Sequence, residues 1–191
     1  AKVSDYREHY FFIAKALNPY PVSYQLTKLP PDYPLCEARL EGHNVYEEGN
    51  RILVERHKIP NNVVIKVPVM SENYWCGVIR DLRRANIPVN TTLVFSCEQA
   101  LMAAEAGANY VSVFVGRVED FEKTKLGLKR EDPTSVNVTK TVRKLLADIQ
   151  KILHKNNYET KLLVASIRTK EHILMAAELG ASIVTAPFKV L

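Results

Sequence analysis

Cysteine, glycine and tryptophan are scarce in this chain: 3, 7 and 1 among 191 residues. Cys36, Cys76 and Cys97 are too few and too scattered for a disulfide framework or a zinc finger, and their odd number points to a reducing compartment. Long apolar runs are lacking as well. Nothing approaches the ~18 uninterrupted apolar residues of a membrane span. The stretch Tyr10–Leu17 is broken by Lys15 and follows Asp5, Arg7 and Glu8, so it does not read as a signal peptide. No glycine-rich loop of the Walker or dinucleotide type follows any predicted strand, which argues against a nucleotide-binding doubly wound sheet. A content of 47% hydrophobic and 25% charged residues excludes disorder, collagen and low-complexity sequence. The expectation is one cytoplasmic globular domain over residues 1–191, with a core large enough to need no staples.

What is present is a repeating alternation of strand and helix. Residues 6–17 read as a helix and Pro21–Leu26 as a short strand; Pro30, Pro31 and Pro34 then mark an inserted loop, and 45–56 reads as a second helix. Val63–Val69 is an almost continuous β-branched run, the pattern of a strand buried on both faces. Helix 72–85, strand 89–95, helix 98–106 and strand 110–115 follow, then a polar insertion over roughly 119–134. Helix 139–155 sets Val142, Leu145, Leu146, Ile149, Ile152 and Leu153 on one face. Strand 161–167, helix 170–179 and strand 182–187 close the chain, with Gly107 and Gly180 where helices should stop. Six such strands imply parallel βαβ units, and a (β/α) barrel fits better than an open sheet, although a standard barrel closes with about eight strands.

The net charge of +5 is unevenly distributed. Residues 1–116 balance at 12 basic and 12 acidic side chains, whereas 117–170 carry 13 basic and 7 acidic. A solvated helix face accounts for such an excess, and so does a positive field drawing in an anionic substrate. No aromatic interleaving or known motif accompanies it, so nucleic acid is not an expected partner, and neither is a membrane.

Lys66 is the most informative residue. It lies amid apolar neighbours in the middle of a strand, where a cation is costly, so its pKa should fall and its amine become nucleophilic, as Schiff-base chemistry on a ketone needs. A lysine snorkelling from a strand end or paired with a carboxylate is the alternative. Side chains at i and i+2 share a strand face, which groups Asn90 with Thr92, Ser112 with Phe114, and Ser166 with Arg168. Arg117 and Arg168 follow the last apolar residues of their strands, where barrel active sites lie. They suit a phosphate or carboxylate ligand, or else rim salt bridges. His9, His43, His57, His154 and His172 have no ligand spacing and read as surface or helix-end residues. Cys76 and Cys97 read as core, and Trp75 as either core or pocket mouth.

Four strand motifs together resemble the transaldolase family: Val64-Ile65-Lys66-Val67-Pro68-Val69, Val89-Asn90-Thr91-Thr92-Leu93-Val94-Phe95-Ser96, Ser112-Val113-Phe114-Val115-Gly116-Arg117 and Ala165-Ser166-Ile167-Arg168. The closing Thr185-Ala186-Pro187-Phe188 is similar too, and the resemblance runs over roughly residues 20–191. It implies a (β/α)8 TIM-type barrel of the class I aldolase kind. By this resemblance Lys66 is the Schiff-base lysine, Asn90 and Thr92 hold substrate hydroxyls and the catalytic water, and Ser112 and Phe114 line the pocket. Arg117, Arg168 and Ser166 match the group that binds a sugar phosphate. The implied reaction, part of the pentose phosphate pathway, moves a dihydroxyacetone unit from a ketose phosphate to an aldose phosphate without metal or other cofactor. Sugar phosphates are the implied partners, and a homo-oligomer is compatible with them.

The resemblance has gaps. The family begins with a strand bearing a catalytic aspartate and a second ending in Thr-Asn-Pro; neither motif occurs here, so the first two barrel strands are expected to be absent from these residues. Gln25 stands where most transaldolases have a water-activating glutamate and fructose 6-phosphate aldolases have glutamine. Phe114 leans the other way, since those aldolases have tyrosine there. Met70 replaces a customary threonine and Val113 a proline. A fructose 6-phosphate aldolase is therefore one alternative, and a catalytically impaired scaffold or interaction protein is another.

Overall fold

The computed structural model describes residues 37–39, 64–70, 74–133 and 135–191. The expected helices 6–17 and 45–56, the strand 21–26 and the loop around Pro30–Pro34 lie outside the described residues. Among the described residues six parallel strands form one sheet: β1 (Glu37–Arg39), β2 (Val64–Pro68), β3 (Val89–Val94), β4 (Tyr110–Phe114), β5 (Lys161–Ala165) and β6 (Ile183–Val184). Their spatial order is their chain order, β1-β2-β3-β4-β5-β6, and every pairing is parallel. Each crossover thus winds in the same sense, as in a barrel and unlike a doubly wound sheet, which reverses direction at its centre. The short β1 was not anticipated: three residues carry too little periodicity to be read.

The helices are α1 (Tyr74–Arg84), α2 (Cys97–Glu105), α3 (Val115–Lys125), α4 (Val136–Lys155) and α5 (Lys170–Glu178), with a 3-10 turn at Phe188–Val190. They cover one face of the sheet. Ile65, Val67, Val89, Val94, Val111, Val113 and Val164 are fully buried against Ile79 and Leu82 of α1, the alanines of α2, and Val142, Leu146 and Ile149 of α4. At ~25 cal/mol per Å2 of apolar surface removed from water, this layer is the main source of stability. Trp75 and Cys76 belong to it, which settles Trp75 as a core residue. The other sheet face holds the polar side chains described below; in β2 its residues are half-buried while those facing the helices are buried.

Helix ends follow local rules that the sequence carries. Ser96, Ser135 and Thr169 cap α2, α4 and α5, each side-chain oxygen accepting a backbone N–H three residues on at 3.3 Å. Each of the five helices among the described residues stops at a residue of positive φ: Asn86, Gly107, Gly127, Asn157 or Gly180. The bond pair of such a stop recurs, as in Gly107 N–H to the Ala104 carbonyl at 2.9 Å and Ala108 N–H to that of Ala103 at 3.0 Å.

The expected polar insertion at 119–134 is half right: residues 126–133 are turn and loop, but 119–125 are helical. Val115–Lys125 is a helix that starts directly after β4, and only the stretch after Lys125 is turn and loop. Its inward face explains why it hid: beside Val115 and Val118 it buries Glu119 and Lys123, an i,i+4 ion pair at 3.5 Å. Charges that satisfy each other occupy positions where periodicity looks for apolar residues.

Candidate active site

Lys66 sits in register with Asn90 on the neighbouring strand, and Pro68 with Thr92. Residues in register on parallel strands point the same way, so Lys66, Asn90 and Thr92 share the face turned away from the helices. Ser112, on the next strand, donates its hydroxyl to the Asn90 side-chain carbonyl at 2.7 Å. A lysine and an amide thus lie in register across β2 and β3, joined to a hydroxyl one step further along β4. Burial pushes the Lys66 amine down to about 8. At pH 7 that leaves about one amine in ten unprotonated, against roughly one in three thousand for an ordinary lysine.

β3 is not regular above Asn90. Thr91 pairs with Val111 and Val94 with Val113, so Thr92 and Leu93 together oppose Ser112 alone. Leu93 absorbs the extra residue at φ 58°, a left-handed conformation that is strained for a leucine. The bulge restores Phe95 to the polar face, where its ring meets that of Phe114 edge-on at 6.4 Å. Phe114 therefore walls the mouth of the site with an aromatic partner that simple alternation along the strand does not reveal.

The second centre lies at the ends of β4 and β5. Gly116, in the first turn of α3, allows a close approach: a Cβ there would stand 2.5 Å from the Ser166 carbonyl, 2.9 Å from Ser166 Oγ and 2.6 Å from Arg168 Nε. Ser166 itself holds φ 60°. Ser166 and Arg168 lie beyond the end of β5, so the expected shared strand face does not apply to them; both approach Gly116 across a left-handed kink at Ser166. α3 has no side-chain cap, and Arg117 lies exposed in its first turn. An uncapped helix N-terminus, a hydroxyl and two arginines thus gather at this end of the sheet, groups of the chemical kind that bind anions.

Arg168 is held from below. Its two terminal nitrogens grip the Asp120 carboxylate, Nη2 at 2.5 Å from Oδ2, and this pairing holds the Asp120 carboxyl below its usual range. Of the two readings of Arg168, the rim salt bridge is thus observed. Arg130 Nε approaches the same carboxylate at 3.6 Å. Glu119, buried, lies 3.7 Å from His172 Nε2, whose Nδ1 accepts the Arg168 backbone N–H at 3.4 Å. His172 is correctly a helix-end residue but not a surface one; burial pushes its pKa down. Gly116, Glu119, Asp120, Lys123, Arg130 and His172 were not singled out from sequence. A signal existed for the acidic pair, since adjacent carboxylates two and three residues after Arg117 suit a partner for a rim arginine. Gln25 lies outside the described residues. Among the described residues no three His, Cys, Asp or Glu side chains are grouped to hold a metal, and no helix is long and apolar enough to cross a membrane.

The rest of the charge excess divides. Lys140, Lys151 and Lys155 on α4 are exposed, and Arg143 pairs with Glu178 and Lys144 with Asp148 on the surface. The long helix thus has a solvated basic face, while Arg117, Arg130 and Arg168 concentrate at the sheet's C-terminal end.

A singly wound parallel sheet with a lysine on its polar face and arginines beyond the strands' C-terminal ends defines a (β/α)-barrel protein with a site of the barrel-enzyme type. The family model described as Transaldolase/Fructose-6-phosphate aldolase matches residues 39–191. A "Probable transaldolase" of Thermodesulfovibrio yellowstonii is 39% identical over 146 residues, covering 76% of this chain and 59% of that protein. One of Moorella thermoacetica is 41% identical over 138 residues, covering 72% of this chain and 55% of that protein. One of Anaeromyxobacter sp. is 35% identical over 176 residues, 92% of this chain and 66% of that protein. The chain belongs to the transaldolase/fructose-6-phosphate aldolase family, whose fold is the (β/α)8 barrel, and it spans between about half and two thirds of the length of these relatives.

Proposed function

We propose that the protein is a Schiff-base transferase that moves a dihydroxyacetone unit between sugar phosphates. The single observation that carries this reading is Lys66, a lysine whose pKa falls to about 8 in register with Asn90, to which Ser112 is bonded. The unprotonated amine adds to the ketose carbonyl and the carbinolamine loses water, leaving a protonated imine. The C4 hydroxyl then gives up its proton to the bound water, the C3–C4 bond one step beyond the imine carbon breaks to release an aldose, and its electron pair passes into the imine, forming an enamine. The enamine carbon attacks the acceptor aldehyde, and water returns to free the product and Lys66. Asn90 and Thr92 hold substrate hydroxyls and a water, with Gln25 assigned beside them by resemblance; Ser112 fixes Asn90, and Phe114 lines the pocket. Arg117, Ser166 and Arg168 take the sugar phosphate. The residues form one barrel domain working on soluble sugar phosphates in the cytoplasm.

Trapping tests this directly. Borohydride reduction in the presence of fructose 6-phosphate should add a ketose-derived mass to Lys66, and Lys66→Ala should take none; a Lys66→Ala protein with full activity would sink the reading. Turnover with and without erythrose 4-phosphate as acceptor separates the transferase from a fructose 6-phosphate aldolase, the reading that Gln25 favours.

A further inference from the structure

Asp120 neutralises much of Arg168, because both terminal nitrogens of the guanidinium are committed to its carboxylate. A phosphate that is mostly a dianion at neutral pH then needs cationic charge beyond Arg117. One further arginine is placed to supply it. Arg130 reaches to 3.6 Å from the same carboxylate with its side chain two-thirds exposed, so its head can turn from Asp120 to a ligand at little desolvation cost.

The backbone behind Arg130 is secured in an uncommon way. Lys123 is buried in α3, yet its ammonium donates to the carbonyls of Arg130 at 3.2 Å and Asp132 at 2.7 Å. Glu119 balances it at 3.5 Å. The Asp132 carboxylate accepts the Lys129 N–H at 2.6 Å, closing the turn on itself. A buried ammonium is an expensive fastening for a surface turn, and the residue it fixes is the arginine that returns toward Asp120.

We propose that Arg130 is a further phosphate-binding residue of this site and that Lys123 is the positioning residue that delivers it. The proposal rests on the reading of Arg117, Ser166 and Arg168 as the phosphate end. Its test is calorimetric titration of the protein with inorganic phosphate at low ionic strength, alongside KM and kcat for a phosphorylated ketose. Arg130→Gln, a change at an exposed position, should weaken phosphate binding about tenfold and raise KM similarly while leaving kcat near the parent value. Lys123→Met should lose as much affinity although Arg130 is still present. If Lys123→Met does not fold, Asp132→Asn loosens the same turn from its exposed side and should give a smaller loss in the same direction. Lys151→Gln, on the solvated face of α4, controls for general charge and should change nothing. Undiminished phosphate binding by Arg130→Gln overturns the proposal, and undiminished binding by folded Lys123→Met or by Asp132→Asn overturns the positioning role. A parent protein without saturable phosphate binding overturns the phosphate end itself and Arg130 with it, whereas Lys66 trapping remains independent of both.

Discussion

Replacing Lys66 by methionine separates what the lysine does for chemistry from what it does to stability. Methionine keeps an unbranched chain of similar length and removes the charge. The fold holds the Lys66 amine at about 8 against 10.5 for a free lysine, because burial penalises the ammonium. An unfolded chain therefore binds this proton more tightly than the folded one does. Each unit between the two values is worth about 1.4 kcal/mol, so the folded state is disfavoured by about 3 kcal/mol at pH 7. The sign fixes the window: the cost is full below pH 8, shrinks as pH rises from 8 to 10.5, and is gone above that. Lys66→Met should accordingly gain about 2–3 kcal/mol at pH 7 in urea unfolding, with an unchanged m-value, and lose the gain by pH 10.5. It should also be unable to form the borohydride-trapped adduct. A variant no more stable than the parent at pH 7, or one whose gain does not fall between pH 8 and 10.5, would refute the burial argument.

Other perturbations probe the neighbourhood. Gly116→Ala drives a methyl group to 2.5 Å from the Ser166 carbonyl, a backbone atom, so it should cost about 1–3 kcal/mol and weaken phosphate binding measured by thermal shift. Thr91 is buried on the helix side of β3 with its hydroxyl unpartnered, and Thr91→Val should raise stability by about 1 kcal/mol in the same urea assay without altering KM. His172 has its pKa lowered chiefly by burial, so an unfolded chain takes up its proton first; stability should fall as pH drops below about 6.5, and His172→Gln should flatten that acid slope.

Much of the helix layer was legible because its signals are local. Gly107 and Gly180 act within one turn, and the stripe from Val142 to Leu153 repeats at helical spacing; the caps Ser96, Ser135 and Thr169 are as local but were not read, so α4 begins at Val136, three residues ahead of the expected start. Lys66 could be picked out for the same reason: a charge among β-branched residues is anomalous whatever surrounds it. The grouping of Asn90 with Thr92 needed only strand alternation. α3 escaped because its buried face is written in charges, and β1 because it is three residues long.

Sequence by itself determined most of the strand–helix alternation, the glycine stops at Gly107 and Gly180 and the identity of the anomalous lysine, since each depends on neighbours a few positions away. Tertiary structure decided how these meet. The 2.7 Å bond from Ser112 to Asn90 joins residues 22 apart, and the clasp of Arg168 on Asp120 joins residues 48 apart. The bulge at Leu93 exists because two strands must stay in register while one carries an extra residue. Charge pairing is likewise a property of the assembled end of the sheet: Arg168 is balanced by Asp120 only once α3 has packed beside β5.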